Sequence, residues 1–100
     1  MERQNSFKEG VLMRTFLVRY DTKLVGVLYI NENGQYKYIC NMDIIREIPA
    51  IEPIAPALST AQPEFGYVIP YFKVRFDHIG GPIKNREYGF VTDKVRLIEV

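Results

Sequence analysis

The patterning of the chain predicts a β-rich α+β fold: a small antiparallel sheet or partly open barrel, with one short helix and a packed proline-rich loop. Three observations carry that expectation. Runs of alternating apolar and polar residues flank an Asn-Gly pair at Asn33 and Gly34; one short stretch spaces its isoleucines by three and four; and five of the six prolines fall between Pro49 and Pro70.

Residues 1–10 carry Glu2, Arg3, Lys8 and Glu9 without periodicity and read as a flexible lead; residues 11–100 read as one domain. In residues 11–20, Phe16, Val18 and Tyr20 alternate with Leu17 and Arg19, which predicts a strand. Asp21, Thr22 and Lys23 break it. Residues 24–30 place Leu24, Gly26, Leu28 and Ile30 on one face and Val25, Val27 and Tyr29 on the other, and two apolar faces predict a central strand. Asn31-Glu32-Asn33-Gly34 ends in the pair that tolerates positive φ at both centres of a type I′ turn, so a hairpin is expected. Its second arm, residues 35–40, sets Tyr36, Tyr38 and Cys40 against Gln35, Lys37 and Ile39.

Asn41 then stands at a cap position before Ile44, Ile45 and Ile48, predicting a helix of about two turns that Pro49 stops. From Pro49 to Pro70 each proline removes a backbone donor, which excludes a central strand or a long helix. Ile51, Ile54, Leu58, Phe65, Tyr67, Val68 and Ile69 are too apolar for a solvated spacer, so a loop packed across the surface is expected. Residues 71–79 alternate Phe72, Val74, Phe76 and His78 with Tyr71, Lys73, Arg75 and Asp77, the pattern of a half-buried strand. Gly80-Gly81-Pro82 reads as a turn, residues 83–89 as polar, and residues 90–100 as a closing strand with Val95 and Leu97 on one face.

Function classes are then bounded by composition. With 13 Lys+Arg against 12 Asp+Glu over 100 residues the net charge is +1, which gives no electrostatic footprint for non-specific nucleic-acid or anionic-membrane binding. A chain this short leaves no room for a two-lobed kinase or dehydrogenase. A single cysteine, Cys40, cannot close an intramolecular disulfide, so a reducing, cytoplasmic setting is expected. The lead does not read as a signal peptide, and no apolar run approaches the roughly 18 to 20 residues that span a bilayer.

Catalytic material is thin. His78 is the one histidine, and its alternation with Phe72, Val74 and Phe76 reads as a structural imidazole; Cys40 reads as a small buried hydrophobe. One His and one Cys do not assemble a zinc site, no Walker-type loop occurs, and Asp77, Glu87, Asp93 and Glu99 have no spacing that forces two together. No catalytic residue, metal ligand or cofactor is therefore expected. The seven tyrosines and six phenylalanines offer more. Tyr36 and Tyr38 with Lys37, and Tyr71 with Lys73 and Arg75, have the composition of a base-stacking platform with cationic flanks, although tyrosine pairs also suit any half-exposed sheet. Phe65-Gly66-Tyr67, on a proline-restrained segment, has the composition of an interface anchor. Phe65, Tyr67, Tyr71, Lys73 and Arg75 are the candidate partner-binding residues.

The order of pieces resembles a known family. Val18-Arg19-Tyr20-Asp21-Thr22-Lys23-Leu24-Val25-Gly26-Val27-Leu28, then Asn33-Gly34 and Tyr36-Lys37-Tyr38, is similar to the opening of the HipA N-terminal domain; Pro56-Ala57-Leu58-Ser59 and Pro70-Tyr71-Phe72 stand near its later motifs. The likeness covers about residues 16–76, and the family's Asn and Leu-Leu-Pro are replaced by Lys73-Val74-Arg75. It implies a free-standing small domain that acts as an antitoxin-like or regulatory partner of a separate HipA-type kinase. The expected function is thus non-catalytic protein contact, and the alternative is single-stranded nucleic-acid binding by a tyrosine-rich sheet; oligomeric state is left open.

Overall fold

A computed structural model of the chain describes residues 13–78, 82–84 and 87–100. The expected lead and the Gly80-Gly81 turn lie outside the described residues.

Strand β1 (Met13–Tyr20) and strand β2 (Lys23–Asn31) form the centre of the sheet, turning at Asp21, which takes φ +59°. Aspartate tolerates this left-handed region because its short polar side chain can bond locally. The register of the pair shifts once: Val18 opposes Gly26 and Arg19 opposes Leu24, leaving Val25 between them. This bulge corrects the alternation read from the sequence. Val25 is fully buried on the core face and Leu24 is 40% exposed, because one extra residue swaps the faces of everything on its far side.

Strand β3 (Tyr36–Cys40) pairs antiparallel with β2, as the Asn-Gly signal predicts. The turn is not type I′. Gly34 N–H donates to Asn31 C=O, Asn31 N–H donates to Gln35 C=O, and only Gly34 has positive φ, at +77°. That is a type I turn closed by a glycine bulge, and the Asn31 side chain reinforces it by accepting from Asn33 and Gln35 N–H.

After β3 the chain crosses the sheet in short pieces: α1 (Met42–Ile45), α2 (Ile51–Ile54), a 3-10 turn (Pro56–Ser59), edge strand β4 (Gln62–Gly66) and α3 (Pro70–Asp77). The expected two-turn helix is a single α turn extended to Ile48 by 3-10 bonds, and the Asn41 side chain donates to Leu24 C=O instead of capping it. The expected loop is likewise a relay of elements. Pro56 and Pro70 stand in first turns, where no backbone donor is needed, and Pro63 lies on an edge strand. Of the residues expected to pack, Ile51 and Leu58 are buried, with Ala55 beside them, whereas Ile54, Tyr67 and Val68 are exposed.

Residues 71–77 form a helix, which overturns the strand expected there. Phe72, Arg75 and Phe76 satisfy the three-and-four spacing as well as Phe72, Val74 and Phe76 satisfy alternation. Pro70 pre-sets the first helical φ, Ile69 is extended before it, and Lys73 pairs with Asp77 one turn on.

Strands β5 (Pro82–Lys84), β6 (Glu87–Tyr88) and β7 (Val95–Glu99) complete the sheet; β5 and β6 fall in the stretch read as merely polar. Among the described residues the sheet has seven strands in the order β4-β3-β2-β1-β7-β6-β5, all antiparallel and open at both edges, so it is not a closed barrel. One core holds Phe16, Val18, Val25, Leu28, Tyr38, Leu97 and, from the helical layer, Ile45, Ile51, Leu58 and Phe72. Each such side chain contributes roughly 1.5–3 kcal/mol by leaving water. No helix among the described residues is long and apolar enough to cross a membrane.

Candidate functional site

Because the core draws on one face of the sheet, no layer among the described residues covers the other. In register across it run Ile39 (β3), Val27 (β2), Leu17 (β1) and Ile98 (β7). Ile39 is 41% exposed, the other three are half-buried, and none of the four packs against the core cluster. A second row holds Lys37 opposite Tyr29 and Tyr29 opposite Thr15. The Lys37 ammonium sits 5.4 Å from the Tyr29 ring and 5.6 Å from the Phe65 ring, which places Phe65 of β4 beside this row. Arg19 and Arg96 face each other on the same side; Arg96 turns back to donate to the carbonyls of Phe90, Asp93 and Val95, which eases the repulsion of the pair.

The five residues singled out in the sequence do not share one surface. Phe65 lies beside the open face, and Tyr67, 88% exposed, follows it just past the end of β4. Tyr71, Lys73 and Arg75 lie on α3, a helix and not a strand, whose Phe72 packs on Tyr38 (4.9 Å) and Phe76 on Phe16 (4.8 Å) of the core face. Lys73 is exposed and bonded to Asp77. Tyr36 and Tyr38 are buried, so they are not available as a stacking platform.

Arg75 is buried to 6% exposure, an unusual place for a charge, and the rings of Tyr71 and Phe90 lie 3.8 and 5.1 Å from its guanidinium carbon. Its Nη1 donates to Tyr71 C=O and its Nη2 to Asp93 Oδ2 at 2.7 Å. Asp93 is divided: its Oδ1 accepts from Val95 N–H at 2.9 Å, and Arg96 Nη1 approaches to 3.6 Å. Arg75 Nε has no hydrogen-bond partner. A cavity of about 400 Å³ adjoins this cluster, bounded by Tyr20, Ile54, Ala55, Tyr71, Arg75 and residues 92–95. Burial pushes the Tyr71 hydroxyl up from its ordinary value, with Arg75 pulling the other way, so the phenol stays neutral at physiological pH. A larger cavity, about 470 Å³, lies by α1 and α2, but its charged side chains, Arg46 and Glu52, are exposed and form no built cluster.

The two residues with catalytic chemistry sit apart from this cluster's bonds. Burial pushes the Cys40 thiol up, away from the thiolate that a nucleophile needs. The His78 ring packs edge-on against Phe90 at 4.5 Å. Among the described residues no three of His, Cys, Asp and Glu gather as a metal site would require.

Fold and site together define a small module with helices on one side of an antiparallel sheet and, among the described residues, no layer on the other. No family model, curated protein or solved structure matches the chain.

Proposed function

We propose that the chain is a non-catalytic protein-interaction module that docks through the open face of its sheet. The observation that carries this reading is the unbroken row Ile39, Val27, Leu17 and Ile98, four aliphatic side chains in register across four strands and outside the core. A contiguous apolar strip rimmed by Lys37, Arg19 and Arg96 has the composition of an interface, an apolar centre with a polar margin. Phe65 and Tyr67 extend it at the β4 edge; Tyr71, Lys73 and Arg75 belong to the opposite layer and are not part of this surface. The resemblance of residues 16–76 to the HipA N-terminal domain supplies the particular partner, a HipA-type kinase that the module restrains in the cytoplasm. Calorimetric titration of the chain into such a kinase, stripped of its own N-terminal domain, tests it: saturable heat supports the partner, and its absence removes it.

One observation favours a second reading. Lys37 between the Tyr29 and Phe65 rings, with Arg19 and Arg96 on the same face, is an aromatic and cationic arrangement that single-stranded nucleic acid can use. Fluorescence anisotropy with a labelled deoxythymidine oligomer separates the two: nucleic-acid binding would weaken with salt by about 0.7 log units in K per decade of salt for each phosphate neutralised.

A further inference from the structure

On the open face the row Ile39, Val27, Leu17 and Ile98 continues to Glu87 of β6, which stands opposite Ile98, and beyond the bulge Leu24 stands opposite Arg19. Leu24 and Met13, towards the two ends of the face, are 40% and 43% exposed, so its apolar surface runs along the strands as well as across them. Measured from β3 to β6 and from Met13 to Arg19, the face is about 24 by 20 Å at the ordinary strand spacing and rise. With side-chain relief added, that footprint approaches the roughly 800 Å² that a standard interface takes from each partner. Two sheets with such faces complete one core by packing about 10 Å apart, their strands aligned to within about 30°.

We propose that the chain forms a two-fold dimer in which this face packs on the same face of a second copy. The proposal rests on the reading of the face as a docking surface and adds its regulation: the dimer hides the strip that another protein would use, so the two complexes exclude each other. Aligned packing leaves two directions for the two-fold axis, and the charges choose between them. An axis across the strands, along the row, lays Glu87 of one copy on Glu87 of the other, a like-charge contact. An axis along the strands, between β1 and β2, instead exchanges β1 with β2 and β3 with β7. Val27 then lies over Leu17 of the partner copy, Ile39 over Ile98, and Arg19 over Leu24, which the arginine stem covers. The same axis exchanges β6 with β4, bringing Glu87 to the margin where Lys37 of the partner copy stands, and symmetry makes that pair twice.

The test is sedimentation equilibrium of the unaltered chain over a micromolar concentration series, with circular dichroism to check that each variant keeps the fold. The expected result is a monomer–dimer equilibrium with a Kd of about 10 µM or tighter. Leu17→Glu and the more exposed Ile39→Glu should each weaken it about a hundredfold. Lys37→Glu and Glu87→Lys should each weaken it about fivefold, and both in one chain should restore the original affinity, because the pair re-forms with its signs reversed. A chain that stays monomeric throughout, or a dimer indifferent to both Leu17→Glu and Ile39→Glu, would overturn self-pairing. Failure of the doubly altered chain to recover would overturn the orientation. Self-pairing and the docking of another protein fail separately: a monomer that binds a HipA-type kinase and loses it on Leu17→Glu overturns the dimer alone, whereas a Leu17-dependent dimer that gives no heat with that kinase supports the dimer and removes the kinase.

Discussion

The phenol of Tyr38 occupies the space in which Gly26 would carry a side chain. A Cβ built on Gly26 would run into the Tyr38 ring and hydroxyl, and that hydroxyl passes over the glycine to donate to Leu58 C=O at 2.7 Å. The two arms of the β2–β3 hairpin and the distant 3-10 turn are thereby tied at one point. Gly26→Ala should destabilise the domain by about 1–3 kcal/mol through overpacking, read as a fall in urea midpoint at unchanged slope.

Tyr38→Phe keeps the ring and removes the donor. With Leu58 C=O left to find another partner, a loss of about 1–3 kcal/mol is expected in the same denaturation assay. An unchanged midpoint would show that the hydroxyl contributes only by filling space.

Alkaline pH addresses the same residue. Burial raises the phenols of Tyr38, Tyr36 and Tyr71 above the ordinary 10.0, and the thiol of Cys40 above 9.0. Groups whose proton is held more tightly in the folded state contribute stability that is fully present below their unfolded pKa and lost as pH rises towards the folded one. Unfolding free energy should therefore decline from about pH 9 upwards, with each such group adding about 1.4 kcal/mol per pH unit to the slope once the unfolded chain ionises. Tyr38→Phe should remove one group's share.

At the hairpin, Gly34 has φ +77° and open space around its Cα, so a side chain there meets backbone strain and no clash. Gly34→Val should cost about 1 kcal/mol or more, and Gly34→Asn much less, because asparagine accepts the left-handed region. Paired thermal melts of the two variants check the difference.

Much of this architecture is legible in the sequence where a single period dominates. The buried Phe16, Val18 and Tyr20, the buried Tyr36 and Tyr38, and Val95 with Leu97 all follow from alternation, and Gly34 closes the hairpin that pairs β2 with β3. Residues 71–77 were illegible because their pattern satisfies two periods at once, and only Pro70 and the Lys73–Asp77 spacing favour the helix. Reading them as a strand sets Tyr71 and Arg75 on a sheet face next to Phe65, whereas α3 packs on the core face and Phe65 lies beside the open one. The bulge at Val25 had no signal, since Leu24 and Val25 are equally apolar and only pairing decides which is buried. The row on the open face was visible residue by residue, but aligning Ile39, Val27, Leu17 and Ile98 needed the register of three strand pairs.

Phe65 and Tyr67 test the margin of the proposed interface. Neither belongs to the core cluster, so Phe65→Ala with Tyr67→Ala should leave the melting temperature nearly unchanged and weaken partner binding by about 2 kcal/mol or more. A large fall in melting temperature would assign them to structure instead.

The most direct measurement of the central claim is calorimetric binding of Leu17→Glu and Ile39→Glu variants, beside the unaltered chain, to a HipA-type kinase lacking its own N-terminal domain. Both positions lie outside the core, and circular dichroism should show the same fold and melting behaviour in each. Docking through the open sheet face predicts that the unaltered chain binds and that either glutamate, buried unpaired in the interface, weakens binding about a hundredfold. Binding of folded Leu17→Glu and Ile39→Glu as tight as that of the unaltered chain would contradict it.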